Sequence, residues 1–597
     1  MCGIIGYVGG GKAAPVVLEG LRTLEYRGYD SCGIATIDKE LEIRKDRGMI
    51  GEVDRELSFR EMKGSLGIGH TRWATHGVPS RENSHPHQDC AGEIALVHNG
   101  IISNYLELKE GLLERGHRFT SETDSEVLAH LIEEKHRSAG LEEAVTEALK
   151  EVKGSYAILV ISKKEPGRIL CARHESPLLL GIGEEGNFIG SDISAFLRHT
   201  KKVVPLEDME YAVVEKEGWT VKNTLTREPV EKEVLTVDWD QQMAEKEGYP
   251  TFMEKEIHEQ PRTVKNAMAV YDRDIKGLAE MIREAKRTYI IGAGTSLNAA
   301  WVSFYWFARL CKAPVIVMDS SEFIEGGICD EDTLVIGITQ SGETYDTLAA
   351  MRHAREKGAK TAAIVNVIGS TATRESDHVV MQNSGIEIAV CATKTFTSQL
   401  VILLRTALEL AKLTGEGGGE TGAVEKELAH VPRYMEEVLE KEEEIKRVAE
   451  KYCNKRNYLY IGKGISLPTA LEGALKFKEI TYFHAEGMSS GLLKHGTISL
   501  IDDDMITVAI IPGDGENRER ITGNVQEIKA RGGFVIAVVS GEPVPQCDIN
   551  ITAPKCHELI SPFVLTPICQ LLAYHTARHH GRNVDRPRAL AKSVTVG

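Results

Sequence analysis

The residues with the clearest chemical potential open the chain, in the run Met1-Cys2-Gly3-Ile4-Ile5-Gly6-Tyr7-Val8-Gly9. Removal of Met1 places a thiol and an α-amine on the same residue, Cys2. An α-amine titrates at about 7.7 to 8, low enough to take up a thiol proton near neutrality, so a terminal cysteine needs no separate histidine base. The competing reading is a small buried cysteine at the start of a first strand. The residues that follow decide between them.

A second constellation is Gly69-His70-Thr71-Arg72-Trp73-Ala74-Thr75-His76-Gly77, which crowds donors and an aromatic ring into a loop after a strand. Such a loop suits a small zwitterion. Arg72 takes its carboxylate in bidentate fashion, Thr75 and His76 add hydrogen bonds, Trp73 supplies a wall, and Asp124 meets the ammonium. In His98-Asn99-Gly100 a side-chain amide and a backbone N–H can both point at a developing oxyanion. The alternative is a polar loop around a buried tryptophan. A metal site from His85, His87 and Cys90 is considered and set aside, because no second ligand pair lies nearby in the sequence; no metal is expected.

Two further loops follow apolar strands and precede helices: Gly294-Thr295-Ser296 and Thr339-Gln340-Ser341-Gly342-Glu343-Thr344. Hydroxyls and free N–H groups at a helix N-terminus cradle a phosphate without a basic residue. Either loop alone is equally well read as a helix cap. The helix around Leu471–Ile480 carries Glu472, Lys476 and Glu479 in one stripe. An exposed ion-pair stripe is the simpler reading. His484, Glu486, Lys494 and His495 follow closely, and a carboxylate, a lysine and a histidine together suit proton transfer beside a carbonyl. Lys394, alone among threonines, is weak grounds for a pyridoxal phosphate lysine, and no cofactor is expected.

The elements that must position these residues fall into three patterns. Residues 1–238 show short β-rich runs (67–70, 94–98, 157–161, 188–191) with helices predicted over 104–115 and 124–150, an α+β layer domain. Residues 239–285 read as a charged linker with helical stretches. From 286 onward strands alternate with helices, and Tyr289-Ile290-Ile291-Gly292-Ala293-Gly294-Thr295-Ser296-Leu297 is echoed by Leu459-Tyr460-Ile461-Gly462-Lys463-Gly464-Ile465-Ser466-Leu467. Continuous apolar strands between helices mark parallel doubly wound sheets, so two tandem α/β domains are expected, 286–423 and 424–582, then a tail, 583–597. A charged helix is predicted over 424–451.

Composition narrows the partners. A net charge of −17 and a pI near 5.7 argue against nucleic acid, whose binding leaves a basic footprint. The absence of a long uninterrupted apolar run or a signal-peptide pattern predicts a cytoplasmic protein without a membrane partner. The 11 cysteines, scattered without CxxC pairs, suit reduced thiols.

With these motifs in hand, Cys2-Gly3-Ile4-Ile5-Gly6, Tyr26 to Ser31, His70 to Gly77, His98-Asn99-Gly100 and Thr123-Asp124 resemble the glutaminase domain of the N-terminal nucleophile amidotransferases. The later motifs, with Glu387 and Val390 in Gly385-Ile386-Glu387-Ile388-Ala389-Val390 and Ala591-Lys592 in the tail, resemble the sugar isomerase domains of the isomerising glutamine:fructose-6-phosphate aminotransferases, over almost the whole chain. The resemblance implies glutamine hydrolysis through a thioester on Cys2 with an Asn99/Gly100 oxyanion hole. It implies Arg72, Trp73, Thr75, His76 and Asp124 around glutamine, with Arg27 near the nucleophile. Phosphate would be held by Thr295, Ser296, Thr339, Gln340, Ser341 and Thr344. His495 would open the ring, Glu479 move the proton between C1 and C2, and Lys592 form a Schiff base. Glu387, Val390, Lys476, Glu486 and Ala591 would support the site, and His484 would serve the partner subunit of a homodimer. The implied reaction makes glucosamine 6-phosphate, the first step of hexosamine and UDP-N-acetylglucosamine synthesis, with ammonia passed internally. Trp73 and the tail around Lys592 are candidates for sealing that passage. Rival readings are an amidotransferase or deglycase acting on another sugar phosphate, and a non-catalytic phosphosugar sensor. Thr339, Cys391, Ala392, Leu492 and Thr497 depart from the family pattern, which bears on substrate preference more than on reaction type.

Overall fold

The computed structural model describes residues 2–73, 76–237, 246–416 and 418–595. The chain divides into two compact units: Met1–Ala244 with Ala591–Gly597, and Glu245–Leu590.

In the first unit two antiparallel sheets stack between helices. The larger has eight strands, and Gly3–Gly9 runs in its middle, paired with Leu66–Arg72 on one side and Gly186–Gly190 on the other. The smaller has six, including Ile94–Ile102 and Gly154–Ser162. The period of two explains the layering. Ala95, Val97, Ala157, Leu159 and Ile161 join Ile4, Val8 and Ile68 between the sheets. Ile94, Leu96, Ile158 and Val160 face the other way, onto Val127, Leu128, Leu131 and Val145 of the helices Glu126–His136 and Leu141–Leu149. The one helix predicted over 124–150 is therefore two. Its outer partner on the larger sheet, Ala13–Leu24, sits so close that a Cβ on Gly69 would lie 2.5 Å from Val17 Cγ1.

The second unit holds two five-stranded parallel sheets of the same strand order. In the first, Ile316–Asp319, Arg287–Gly292, Thr333–Thr339, Lys360–Val365 and His378–Met381 lie side by side. In the second the corresponding row is His484–Ser489, Asn457–Gly462, Met505–Ile511, Phe534–Ser540 and Ile549–Ala553. In sequence order within each repeat this is 2-1-3-4-5, so the direction of winding reverses between the first and third strands, where open α/β sheets bind ligands at the carboxyl ends. One core spans both sheets: Ile290 and Ile336 of one and Tyr460 and Val508 of the other cluster with Met253, Ile257, Val264, Ile275 and Ile282. Those five residues come from Phe252–His258, Gln260–Met268 and Asp272–Glu284, helices whose charged faces dominate their sequence while their apolar stripes are buried. The helix predicted over 424–451 is broken into Gly418–Leu428, Val431–Leu439 and Glu442–Tyr452; Pro432, at the start of the middle piece, can open a helix but not continue one. Among the described residues, Glu558–His579 is the single helical segment long and apolar enough to cross a membrane, and its apolar window is wholly buried in this unit.

Candidate active site

Cys2 lies at the head of the central strand of the larger sheet, where the chain meets the end of Leu66–Arg72. Its Sγ accepts a hydrogen bond from the Trp73 N–H at 3.3 Å, and its carbonyl accepts from Asn99 Nδ2 at 3.1 Å and Arg27 Nε at 3.4 Å. Arg27 is itself anchored to Asp192 at 3.0 Å. Small residues make this convergence possible. A Cβ on Gly3 would sit 2.6 Å from Thr71 Oγ1, and one on Gly28 2.7 Å from the Arg72 carbonyl carbon. Burial pushes the Cys2 thiol up, while the Trp73 N–H and the Arg72 charge work against that rise.

The imidazole of His70 fixes the orientation of Asn99. Its Nε2 lies 3.0 Å from the His98 carbonyl and 3.1 Å from Asn99 Oδ1, both acceptors, so Nε2 carries the proton. Burial holds the His70 pKa down to about 3, which keeps the ring neutral and able to serve this role. With Oδ1 engaged, Nδ2 is the amide atom turned to Cys2, whose carbonyl it reaches at 3.1 Å. Gly100 follows at φ +130°, where a Cβ would lie 2.1 Å from the Ser155 carbonyl oxygen. His70 was not singled out in the sequence, and only its place on the strand beside Arg72 pointed to it.

Arg72 uses Nη2 to tie down the loop it begins, donating to the carbonyls of His76 and of Gly77, the latter at 3.1 Å. Its Nη1 is buried without a hydrogen-bond partner, which leaves a donor for a ligand carboxylate. Asp124, buried, accepts from the Ile102 N–H at 2.8 Å and so fixes the end of Ile94–Ile102. Arg72, Asp124 and Cys2 are near enough to feel one another's charge. Trp73 meets Tyr29 edge to face at 5.6 Å, and His76 meets Tyr105 at 5.4 Å. Thr75 lies outside the described residues.

In the second unit, the stripe Glu472, Lys476 and Glu479 faces the protein interior. Glu472 and Lys476 are almost fully buried on Ser466–Thr481. Lys476 Nζ lies 2.7 Å from Glu479 and 3.6 Å from Glu472, and it donates to Thr295 Oγ1 at 3.0 Å. Glu472 also accepts from Thr295 at 3.1 Å and from Asn298 at 2.8 Å. Burial pushes the Glu472 carboxyl up to about 7 against the pull of Lys476, and the two carboxylates hold the Lys476 ammonium well above its ordinary value despite burial. The helix of the second repeat thus reaches the switch-point loop of the first. Asn298, and Gln399, which donates to Ser296 Oγ at 3.2 Å, complete this corner.

The adjoining loop is wound on itself. Thr339 Oγ1 accepts from the Gly342 N–H at 3.2 Å and meets Thr344 Oγ1 at 3.0 Å, Ser341 Oγ accepts from the Glu343 N–H at 3.1 Å, and the Gln340 carbonyl accepts from Asn366. Gly342, at φ +70°, makes the turn against Ser370. Thr344 then starts the helix Tyr345–Glu356. In the second repeat the matching position reads Pro512-Gly513-Asp514-Gly515, which offers a negative charge in place of hydroxyls.

Other predicted residues hold the framework. Glu387 caps Lys394–Thr414 by accepting from the Thr393 and Thr395 N–H groups at 2.9 and 3.1 Å. The Val390 N–H donates to the Asp585 carbonyl at 3.0 Å. Lys394 is buried against Glu259 at 2.6 Å. His484, Glu486 and His495 are exposed. Ala591 and Lys592 belong to the tail grouped with the first unit.

Comparison with known proteins agrees with both halves. A glutamine amidotransferase domain matches residues 70–198, and a SIS domain matches twice, at 281–408 and 451–579. The chain is 51% identical over 605 residues to the glutamine--fructose-6-phosphate aminotransferase [isomerizing] of Methanococcus maripaludis, and 49% identical over 602 residues to that of Thermococcus kodakarensis, with 100% of both chains covered in each case. Among solved structures, the C-terminal domain of glucosamine-fructose-6-phosphate aminotransferase from Francisella tularensis aligns with 57% of this chain and 99% of its own, at 35% identity and a TM-score of 0.54.

Proposed function

This chain belongs to the isomerising glutamine:fructose-6-phosphate aminotransferases, and from that premise we propose how its residues divide the work. The enzyme takes the amide nitrogen of glutamine and places it on fructose 6-phosphate, giving glutamate and glucosamine 6-phosphate. The observation that carries the reading is the full-length match to such enzymes, with a cysteine at the head of a glutaminase sheet and a buried Glu-Lys-Glu cluster at a sugar-phosphate switch point in one chain.

In the first unit Cys2 Sγ attacks the glutamine amide carbon, its proton passing to the α-amine freed by Met1 removal. Asn99 Nδ2 carries two hydrogens, one of which reaches the Cys2 carbonyl, so the other, with the Gly100 N–H, is free for the oxyanion. Arg72 Nη1 takes the substrate carboxylate and Asp124 the ammonium, with Trp73, Thr75 and His76 around them. Ammonia leaves as the thioester forms, and water then releases glutamate.

In the second unit Thr295, Ser296, Thr339, Gln340, Ser341 and Thr344 hold the phosphate. His495 assists ring opening, Lys592 of the C-terminal tail forms a Schiff base at C2, and Glu479, 2.7 Å from Lys476 Nζ, moves a proton between C1 and C2. Glu387, Val390, Glu486 and Ala591 support the site, and His484 is lent to the second subunit of a homodimer. Ammonia passes internally, and the enzyme works in the cytoplasm.

Incubation with glutamine and fructose 6-phosphate, with the products read by mass spectrometry, tests the assignment. An aminosugar 6-phosphate must form in step with glutamate, and Cys2→Ala must abolish it with glutamine as donor. A product other than an aminosugar 6-phosphate overturns the reading.

A further inference from the structure

The cysteine and histidines weighed in the sequence as metal ligands do not meet as a set. His85 stacks on His70 at 4.0 Å inside the sheet layer, and His87 meets His85 edge-on at 4.5 Å. Cys90 instead meets two histidines and a glutamate that lie 27, 40 and 43 residues further along the chain. Ligand atoms of Cys90, His117, His130 and Glu133 all lie within 4.8 Å of one another. Cys90 is exposed, while the other three are buried.

We propose that Cys90, His117, His130 and Glu133 form a tetrahedral site for a divalent zinc-like ion, which clamps the loop leading to Asp124 onto the glutaminase fold.

The separations are those of a coordination shell. Cys90 Sγ lies 3.8 Å from His117 Nδ1 and 3.5 Å from His130 Nδ1, and Glu133 Oε2 lies 3.1 and 3.4 Å from the same two nitrogens. A tetrahedron with metal–nitrogen or metal–oxygen bonds of about 2.0 Å and a metal–sulfur bond of about 2.3 Å has edges of about 3.3 to 3.5 Å. All four groups thus present lone pairs to one point.

Each imidazole turns Nδ1 to the cluster, while its Nε2 is buried without a hydrogen-bond partner, 3.3 Å from Glu134 for His117 and 3.6 Å from Glu126 for His130. With Nδ1 on a metal, each ring would keep its proton on Nε2, on the side where Glu134 and Glu126 lie, the side on which a carboxylate orients a metal-bound histidine. The backbone completes it: the Arg118 N–H donates to Cys90 Sγ at 3.3 Å, and the Cys90 N–H donates to Glu133 Oε2 at 3.1 Å. One thiolate, two imidazoles and one carboxylate is a donor set that suits zinc, and four protein ligands make it a structural rather than a catalytic site.

The ligands join three segments: the turn after His87–Gln88, the loop after Tyr105–Glu114, and the helix Glu126–His136. Asp124 lies between His117 and His130 in the chain. A fixed loop there fixes the carboxylate proposed to meet the glutamine ammonium, a consequence that rests on the functional reading above; the site itself does not.

The test uses the full chain, untagged and purified without chelator. Elemental analysis should find one zinc per chain. After stripping by a chelator, the melting temperature should fall, and added Co(II) should produce the intense visible bands of a tetrahedral ion with a thiolate charge-transfer band. Cys90→Ser should abolish the charge-transfer band, His130→Gln should lower the metal content to background, and Cys329→Ser should leave both intact. Absence of stoichiometric zinc together with only weak octahedral Co(II) absorption overturns the site, as does a charge-transfer band that survives Cys90→Ser. Metal content and spectra are read without substrate, so their failure is distinct from any failure of the glutamine assignment.

Discussion

At the scale of single residues the buried cluster around Lys476 carries the sharpest consequences. One ammonium is shared by Glu472 and Glu479 and also donates to Thr295, at the start of Thr295–Trp306. Lys476→Met keeps the volume but leaves two carboxylates facing each other, a loss of a buried partner that costs about 3 to 5 kcal/mol. The variant should lose about 100-fold or more in aminosugar formation and melt at a lower temperature; near-normal turnover would remove Lys476 from the machinery. Glu472 gives a pH signature. Unfolded, its carboxyl titrates near the ordinary 4.5; folded, burial holds the proton until about 7. Between those values the native state binds more protons, so this group makes stability fall as pH rises. Glu472→Gln should flatten the decline in melting temperature across that window, and an unchanged slope would contradict the burial argument.

At the scale of elements, the inner layers of the first unit depend on neutral histidines. His70, on Leu66–Arg72, stacks with His85 at 4.0 Å, and His85 touches His87; burial lowers all three pKa values below the ordinary 6.5. The unfolded chain therefore takes up protons that the folded one refuses, and the stability is present above about 6.5 and is lost as pH falls below it. Heat inactivation of glutamine hydrolysis should accelerate as pH drops from about 7 to about 5.5; a rate independent of pH would mean the stack tolerates charge. Gly100→Ala should also destabilise this unit by about 2 kcal/mol or more, because φ +130° and the Ser155 carbonyl at 2.1 Å leave no room for a methyl group. Elements were legible where apolar residues followed one clear period, as in 94–98, 334–338 and 506–511. Edge strands such as Ile316–Asp319 and His484–Ser489 were not, since half-exposed short strands carry mixed residues. Residue types drew notice to Cys2 and to the loop after Arg72, but the grip of the Trp73 N–H on Cys2 is a backbone contact that no side chain announces. The cluster at Cys90 was hidden by sequence separations of 27, 40 and 43 residues, which only the fold closes.

At the scale of the whole molecule, the question is what having both chemistries in one chain achieves. Glutaminase action alone yields ammonia, which in neutral water is protonated and ceases to be a nucleophile. An isomerase fed from solution would therefore depend on bulk ammonium, whereas direct transfer delivers the unprotonated form. The two cases differ in an isotope experiment. With glutamine labelled by nitrogen-15 in its amide and excess unlabelled ammonium in the buffer, internal transfer predicts aminosugar with the full label of the glutamine. Release into solution predicts label diluted in proportion to the ammonium added. Trp73 is the residue whose change should move the result. Its backbone N–H holds Cys2 Sγ at 3.3 Å and survives substitution, while its ring, set against Tyr29, is lost. Trp73→Ala should therefore lower the labelled fraction, and the ratio of aminosugar to glutamate, by more than it lowers the rate of glutamate release. Full label retained in Trp73→Ala would place the barrier to escape elsewhere, and dilution in the unmodified enzyme would show that ammonia is exchanged with solvent between the two reactions.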